Sequence, residues 1–184
     1  MTSPGTVDVA ALLRGLVVDV PDFPEPGVVF KDITPMLADP AAFAAVIEAL
    51  AEAGRDASGA SVVDHVFGME ARGFILAAPV ALALGAGFVP VRKAGKLPRE
   101  TYAETYALEY GEATLEAHRD GLKPGDRVLL VDDVLATGGT AAATCRLVEK
   151  CGAIPHGIAV LMDLGFLPGR AAIGDLPLTS LMTV

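Results

Sequence analysis

Residues Val128–Thr140, VLLVDDVLATGGT, constrain this chain more than any other segment. Val128–Val131 is an uninterrupted aliphatic run, as expected of a strand covered on both faces in a parallel sheet. It ends at Asp132-Asp133, and after Val134-Leu135 comes the loop Ala136-Thr137-Gly138-Gly139-Thr140. Glycines between a strand and a helix let backbone N–H groups converge on one point. The helix N-terminus adds positive potential, so a phosphate suits the place, and Thr137 and Thr140 bring hydroxyl donors. Taken alone, TGGT reads as readily as a tight βα turn with Thr140 as helix cap. The acid pair shifts the balance. Two carboxylates beside a phosphate cradle repel the ligand unless they bind something else on it. Ribose hydroxyls, or a Mg²⁺ ion carried with the ligand, remove that conflict, so sugar phosphates fit better than free phosphate. The loop lacks the lysine of a nucleoside-triphosphatase P-loop, and no G-x-G-x-x-G follows a strand, which argues against a dinucleotide fold.

The rest of the chain supplies the units such a sheet needs. Val62–Gly68 and Gly87–Val91 read as strands around an apolar helix, Ala71–Leu84; Arg127–Val131 and Ile158–Met162 read as strands around a helix, Ala141–Cys151, closed by Gly152. Strands alternating with helices predict an α/β fold, a mostly parallel twisted sheet flanked by helices, in a single domain spanning residues 1–184. Val9, Leu12, Leu13 and Leu16 predict a short first helix. Asp39 as N-cap with Pro40 at N1 opens another, carrying Phe43, Val46, Ile47 and Leu50 at helical spacing. Between them Pro21–Pro35 holds four prolines in fifteen residues and is expected to be extended and irregular. Thr101–Tyr110 breaks the rhythm by strict alternation, and Gly111 turns it into a second strand through His118. A β-hairpin inserted between two α/β units is expected there.

Charge narrows the chemistry. A formal net charge of −9 argues against nucleic acid and anionic membrane as partners, and no apolar run is long enough to span a bilayer. There is no signal-peptide pattern at the N-terminus, so a cytoplasmic protein is expected. If one helix carries Cys145 and Cys151, their Cα atoms lie about 9 Å apart, beyond disulfide reach. His65, His118 and His156 have no metal-ligand spacing. Against the acidic background, Arg92, Lys93, Lys96 and Arg99 put four of fourteen basic residues into eight positions. They form either an anion funnel or a solvated patch balanced by Glu100 and Glu104. Arg72 sits in a short turn after a predicted strand. Phe23 and Phe30, in a stiff segment of a chain without tryptophan, offer either a platform for a planar base or plugs for the core. Glu109 is the one long charged group on its face of the hairpin strand, which suits a solvated glutamate or a working acid.

Val128–Thr140 resembles the phosphoribosyl pyrophosphate signature of the type I phosphoribosyltransferases: hydrophobic strand, two acids, T-G-G-T. Pro21–Pro35 (PDFPEPGVVFKDITP), Glu70–Phe74 (EARGF), Arg92–Glu100 (RKAGKLPRE) and Leu108–Gly111 (LEYG) resemble the adenine-specific members of that family, in the same order and with similar spacing. The resemblance covers roughly residues 10 to 165. It implies that Asp132 and Asp133 hold the ribose hydroxyls, and that Ala136, Thr137, Gly138, Gly139 and Thr140 hold the 5′-phosphate. It assigns pyrophosphate to Arg72, Arg92, Lys93 and Lys96, and adenine to the Val29 backbone, the Phe30 ring and nearby Lys31. Lys31 departs from the arginine of many relatives, keeping the charge without the planar fork. Glu109 becomes the general acid/base on a hairpin lid (residues 94–120) that Tyr110 helps to close, and residues 1–36 become a helix plus base-binding hood. Asp163 is a lesser candidate.

The implied reaction joins adenine and phosphoribosyl pyrophosphate, with its Mg²⁺, to give AMP and pyrophosphate, and the family is usually homodimeric. Two alternatives stand beside it: transfer to guanine, xanthine or orotate, and a non-catalytic regulator that senses phosphoribosyl pyrophosphate.

Overall fold

Asp8 accepts a hydrogen bond from the Ala11 N–H at 3.0 Å and so caps the first helix, α1 (Val9–Leu16). The computed structural model describes residues 8–107 and 111–184, and the chain divides into two compact units, Met1–Ala49 and Leu50–Val184. In the first, β1 (Val18–Pro21) pairs antiparallel with β2 (Val29–Asp32), matching Pro21 to Val29, Val20 to Phe30 and Asp19 to Lys31. The proline-rich stretch is therefore more regular than expected. Pro21 ends one strand and the other begins after Pro26, so the missing N–H groups fall at strand ends where few ladder bonds are lost. A short α2 (Thr34–Ala38) carries Pro35 in its first turn. Asp39 then caps α3 (Pro40–Ala51) as expected, its Oδ1 accepting from the Ala41 and Ala42 N–H groups at 2.9 Å each.

The second unit takes in the last residues of α3 and continues into a 3₁₀ turn (Glu52–Gly54). Its elements then run β3 (His65–Met69), α4 (Arg72–Leu84), β4 (Gly87–Lys93), β5 (Thr101–Ala107), β6 (Glu112–His118), β7 (Arg127–Leu135), α5 (Gly139–Lys150), β8 (Ile154–Asp163), α6 (Gly169–Ala172) and β9 (Leu178–Thr183). The strands form one sheet in the order β5-β6-β4-β3-β7-β8-β9. β4, β3, β7, β8 and β9 are mutually parallel. The hairpin β5–β6 is antiparallel and joins the end of β4 through Arg92–Glu116 and Lys93–Leu115. Phe67, Leu129, Leu130 and Leu147 are fully buried in this unit, each adding about 1.5–3 kcal/mol of transfer free energy.

From β3 the chain crosses to β4 on one side, and from β7 to β8 on the other. The connections thus diverge between neighbouring strands β3 and β7, and open α/β sheets form a crevice at the carboxyl ends of the strands at such a point. The strand read as Arg127–Val131 does not stop before the acid pair but continues to Leu135, because β8 pairs with it through Asp132–Val160, Val134–Met162 and Leu135–Asp163.

Candidate active site

The turns that follow β3 and β7 enclose a cavity of about 360 Å³, lined by Glu70, Ala71 and Arg72 from one side and residues 132–141 from the other. Gly138, at φ 81°, is the N-cap of α5, and the helix begins at Gly139. Thr140 therefore lies inside the first turn and is not the cap. Its hydroxyl meets the Tyr106 hydroxyl at 3.0 Å, while its carbonyl accepts from the Thr144 hydroxyl at 2.8 Å. First-turn N–H groups have no partner within the helix, so Gly139, Thr140 and Ala141 offer donors to an anion in the cavity.

Behind the loop stands α6. A Cβ on Gly138 would come within 2.7 Å of the Gly169 carbonyl oxygen, and one on Gly169 within 2.4 Å of the Ala136 carbonyl oxygen. Two glycines let the two backbones touch. Arg170 Nε donates to buried Asp163 at 2.7 Å and ties α6 to the end of β8. Asp163 thus supports the wall behind the loop.

The acid pair is held asymmetrically. Asp133 is buried, with Oδ2 2.8 Å from Arg72 Nε in a charge contact without hydrogen-bond alignment. Asp132 is half-buried, and its Oδ1 accepts the Asp133 N–H at 2.9 Å. Burial pushes the Asp132 carboxyl well above the usual carboxylate range, and the adjacent Asp133 charge adds to this.

Glu70 organises the cations. Its carboxylate takes Lys96 Nζ, the Lys93 N–H at 3.0 Å and Arg92 Nε at 3.4 Å. Burial works against the ionised form, but the Lys96 and Lys93 hydrogen bonds and the nearby charges outweigh it and hold Glu70 below its ordinary range. Contrary to expectation, Glu70 and not Glu100 or Glu104 balances Arg92 and Lys96. Arg99 pairs with Asp120, Glu100 lies 3.7 Å from Arg119, and Glu104 binds Arg146 and Lys150. Glu70 was not singled out from the sequence, although its place directly after β3 was the available signal. The Glu70–Ala71 peptide is cis.

Val29, Phe30 and Lys31 lie together on β2. Pro21, opposite Val29, has no N–H, so the ribbon leaves the Val29 carbonyl without a partner from β1. Phe23 is 51% exposed, which removes it from the core, and meets Phe30 edge-to-face at 5.1 Å. Lys31 Nζ binds both oxygens of Asp19, at 2.7 and 2.9 Å. Glu109 and Tyr110 lie outside the described residues.

Phosphate donors, two carboxylates and a cationic group of residues suit a sugar with a phosphate at one end and a second anionic group at the other. The carboxylates also fit a hard cation that arrives with its ligand. Mg²⁺ commonly takes one or two carboxylates and fills its shell with water and phosphate oxygens. Among the described residues no cluster of three or more His, Cys, Asp or Glu forms a metal site of its own.

Comparison with known proteins agrees with this geometry. The phosphoribosyl transferase domain model matches residues 34–166. Adenine phosphoribosyltransferase of a Nocardioides species is 70% identical, over 99% of this chain and 96% of that protein. The enzyme of the same name from Streptomyces coelicolor is 57% identical over the whole of both. Among solved structures, adenine phosphoribosyltransferase from Rhodothermus marinus is 48% identical with a TM-score of 0.89, covering 96% of this chain and 98% of that one. The Saccharomyces cerevisiae enzyme, solved in complex with an imino-altritol bisphosphate and adenine, is 39% identical with a TM-score of 0.89, covering 94% and 98%. The chain belongs to the adenine phosphoribosyltransferases, within the phosphoribosyl transferase domain family.

Proposed function

We propose that the protein serves purine salvage by transferring the 5-phosphoribosyl group from phosphoribosyl pyrophosphate to N9 of adenine, releasing AMP and pyrophosphate. The observation that carries this reading is the cavity itself, where phosphate loop, acid pair and the turn bearing Glu70 and Arg72 meet. Adenine, present in the yeast relative's complex, is the base.

In this mechanism Ala136, Thr137, Gly138, Gly139 and Thr140 hold the 5′-phosphate, and Asp132 and Asp133 accept from the ribose hydroxyls. A ligand hydroxyl aimed at Asp132 replaces the water that burial denies it. Arg72, Arg92, Lys93 and Lys96 hold pyrophosphate, with the ligand taking over from Glu70 as their counter-ion. The bond from C1′ to pyrophosphate breaks as the bond to N9 forms, with positive charge on the sugar between. Fixed carboxylates and oriented cations stabilise that charge pattern without a covalent nucleophile. Adenine lies on Phe30 with its edge on the Val29 backbone and Lys31 nearby. Glu109 takes the N9 proton, on a lid (residues 94–120) that Tyr110 helps to close, and residues 1–36 serve as the hood. A Mg²⁺ ion carried in with phosphoribosyl pyrophosphate would supply charge neutralisation at the pyrophosphate, and Asp132 and Asp133 are the carboxylates that would lie nearest to it.

The protein works as a cytoplasmic homodimer in this reading. Exposed Ile75, Leu82 and Phe88 supply apolar surface for a second copy, and the free thiols Cys145 and Cys151 suit a reducing compartment. Among the described residues no helix is long and apolar enough to cross a membrane. The test is to mix the protein with adenine, phosphoribosyl pyrophosphate and Mg²⁺ and measure AMP, with hypoxanthine as control. No AMP, or equal turnover of hypoxanthine, refutes the proposal.

A further inference from the structure

Tyr106 stands 34 positions before Thr140 in the chain, yet their hydroxyl oxygens are 3.0 Å apart. Its ring also covers the helix start, since a Cβ on Gly139 would lie 3.2 Å from it. The strand that delivers this side chain is clamped to α5. Glu104, one pleat earlier on the same face, is 12% exposed and binds both Arg146 and Lys150, while Lys150 Nζ donates to the Ala103 carbonyl at 2.8 Å. With the hairpin docked in this way, the contacts between β5 and α5 place the Tyr106 hydroxyl over the helix start.

Proton counting decides the direction of this contact. A threonine hydroxyl has one proton, and a phosphate oxygen accepts. If Thr140 donates to Tyr106, it has nothing left for an anion. If Tyr106 donates to Thr140, the Thr140 proton is free to point into the cavity, and the chain of two hydroxyls is polarised by the charge at its end. The phenol is the more acidic partner, so donation by Tyr106 is also the favoured direction.

We infer that Tyr106 is a positioning residue for the sugar-phosphate ligand: it donates to Thr140 and so aims the Thr140 hydroxyl at the 5′-phosphate. This rests on the reading of residues 136–140 as the phosphate site. The purely spatial alternative is that the ring fills room above Gly139 and its hydroxyl is incidental.

Calorimetric titration of the whole protein separates the two. The ligands are phosphoribosyl pyrophosphate with Mg²⁺, ribose 5-phosphate, and pyrophosphate alone. The variants are Tyr106→Phe, Thr140→Val, both together, and Tyr102→Phe as a control from the same strand face. Tyr106→Phe keeps the ring and is expected to weaken both sugar-phosphate ligands about fivefold, the worth of one neutral hydrogen bond. Thr140→Val loses the bond to the charged oxygen and is expected to weaken them about tenfold or more. The double variant matches Thr140→Val, because Tyr106 acts through Thr140. Pyrophosphate affinity and the Tyr102→Phe protein stay at wild-type values.

Wild-type affinity in Tyr106→Phe, beside an impaired Thr140→Val, overturns the inference and leaves the phosphate-loop reading standing. Wild-type affinity in Thr140→Val overturns the loop reading itself. Fully additive losses in the double variant, or an equal loss in Tyr102→Phe, assign Tyr106 to packing. A lower melting temperature in Tyr106→Phe that Thr140→Val does not share assigns the hydroxyl to the fold, and the inference fails.

Discussion

Replacing Gly138 by alanine tests whether the phosphate loop is shaped by the backbone packed behind it. Two costs arise. At φ 81° an L-residue loses about 1–2 kcal/mol to the left-handed conformation. The new Cβ would also lie 2.6 Å from Ala172 Cβ and 2.7 Å from the Gly169 oxygen, whereas carbon contacts settle at about 3.5–4.0 Å. Neither neighbour is the end of a flexible side chain, so α6 must retreat or the loop must move into the cavity. Overpacking of this kind costs about 1–3 kcal/mol, for a total of about 2–5 kcal/mol. Gly125 supplies the control, since its φ is 88° but a Cβ there meets nothing within 4 Å; Gly125→Ala carries the conformational cost alone. Urea unfolding followed by circular dichroism measures both, and the Gly138→Ala midpoint should lie clearly below that of Gly125→Ala. Titration with phosphoribosyl pyrophosphate should show weakened binding in Gly138→Ala only. Equal midpoints together with undiminished affinity in Gly138→Ala would refute the backing of the loop by α6.

Asp163→Asn removes the charge from a buried bond to Arg170 and is expected to cost about 1–3 kcal/mol; a thermal melt reads the loss, and ligand affinity should fall with it as α6 loosens. Glu104 carries a pH signature. Hydrogen bonds from Lys150 and Arg146 hold its carboxyl below the usual value of 4.5, so its stabilisation is full above that pH and lost as pH falls through the depressed folded-state value. Arg146 and Lys150 are 47% exposed, which limits the gain to about 1 kcal/mol. Wild type should therefore exceed Glu104→Gln in stability at neutral pH, with the gap closing in acid; a pH-independent gap refutes the assignment. Glu109→Ala should lower kcat about 100-fold or more if the residue moves the adenine proton, while phosphoribosyl pyrophosphate affinity stays near wild type. Unchanged turnover removes Glu109 from that role.

The parallel strands were legible because burial on both faces leaves an aliphatic run, as at Val128–Val131, and β5 because one-sided packing leaves an alternation, with Tyr102, Glu104 and Tyr106 facing α5. The acid pair hid the true end of β7. Adjacent charges look like the start of a loop, and nothing nearby in the chain shows that Arg72, some sixty residues earlier, faces Asp133 or that β8 continues the ladder beside it. α6 has only four residues and β9 only six, mostly half-buried, so neither leaves a hydrophobic period to detect. The phosphate loop announced itself by composition, because its glycines and threonines do their work locally. The counter-ion of the basic cluster did not, since Glu70 meets Arg92 and Lys96 only once β3 and β4 are paired.

That counter-ion bears on how binding responds to ionic strength. A bare basic cluster recruits anions from solution and must release them when a ligand arrives, which makes its affinity fall steeply with salt. Here Arg92 and Lys96 already rest on a nearly buried carboxylate of their own chain. An entering anion exchanges with a tethered glutamate, and fewer dissolved ions change place. Affinity for a diphosphate at this site should then decline only gently as salt is raised, and Glu70→Gln should make that decline steeper.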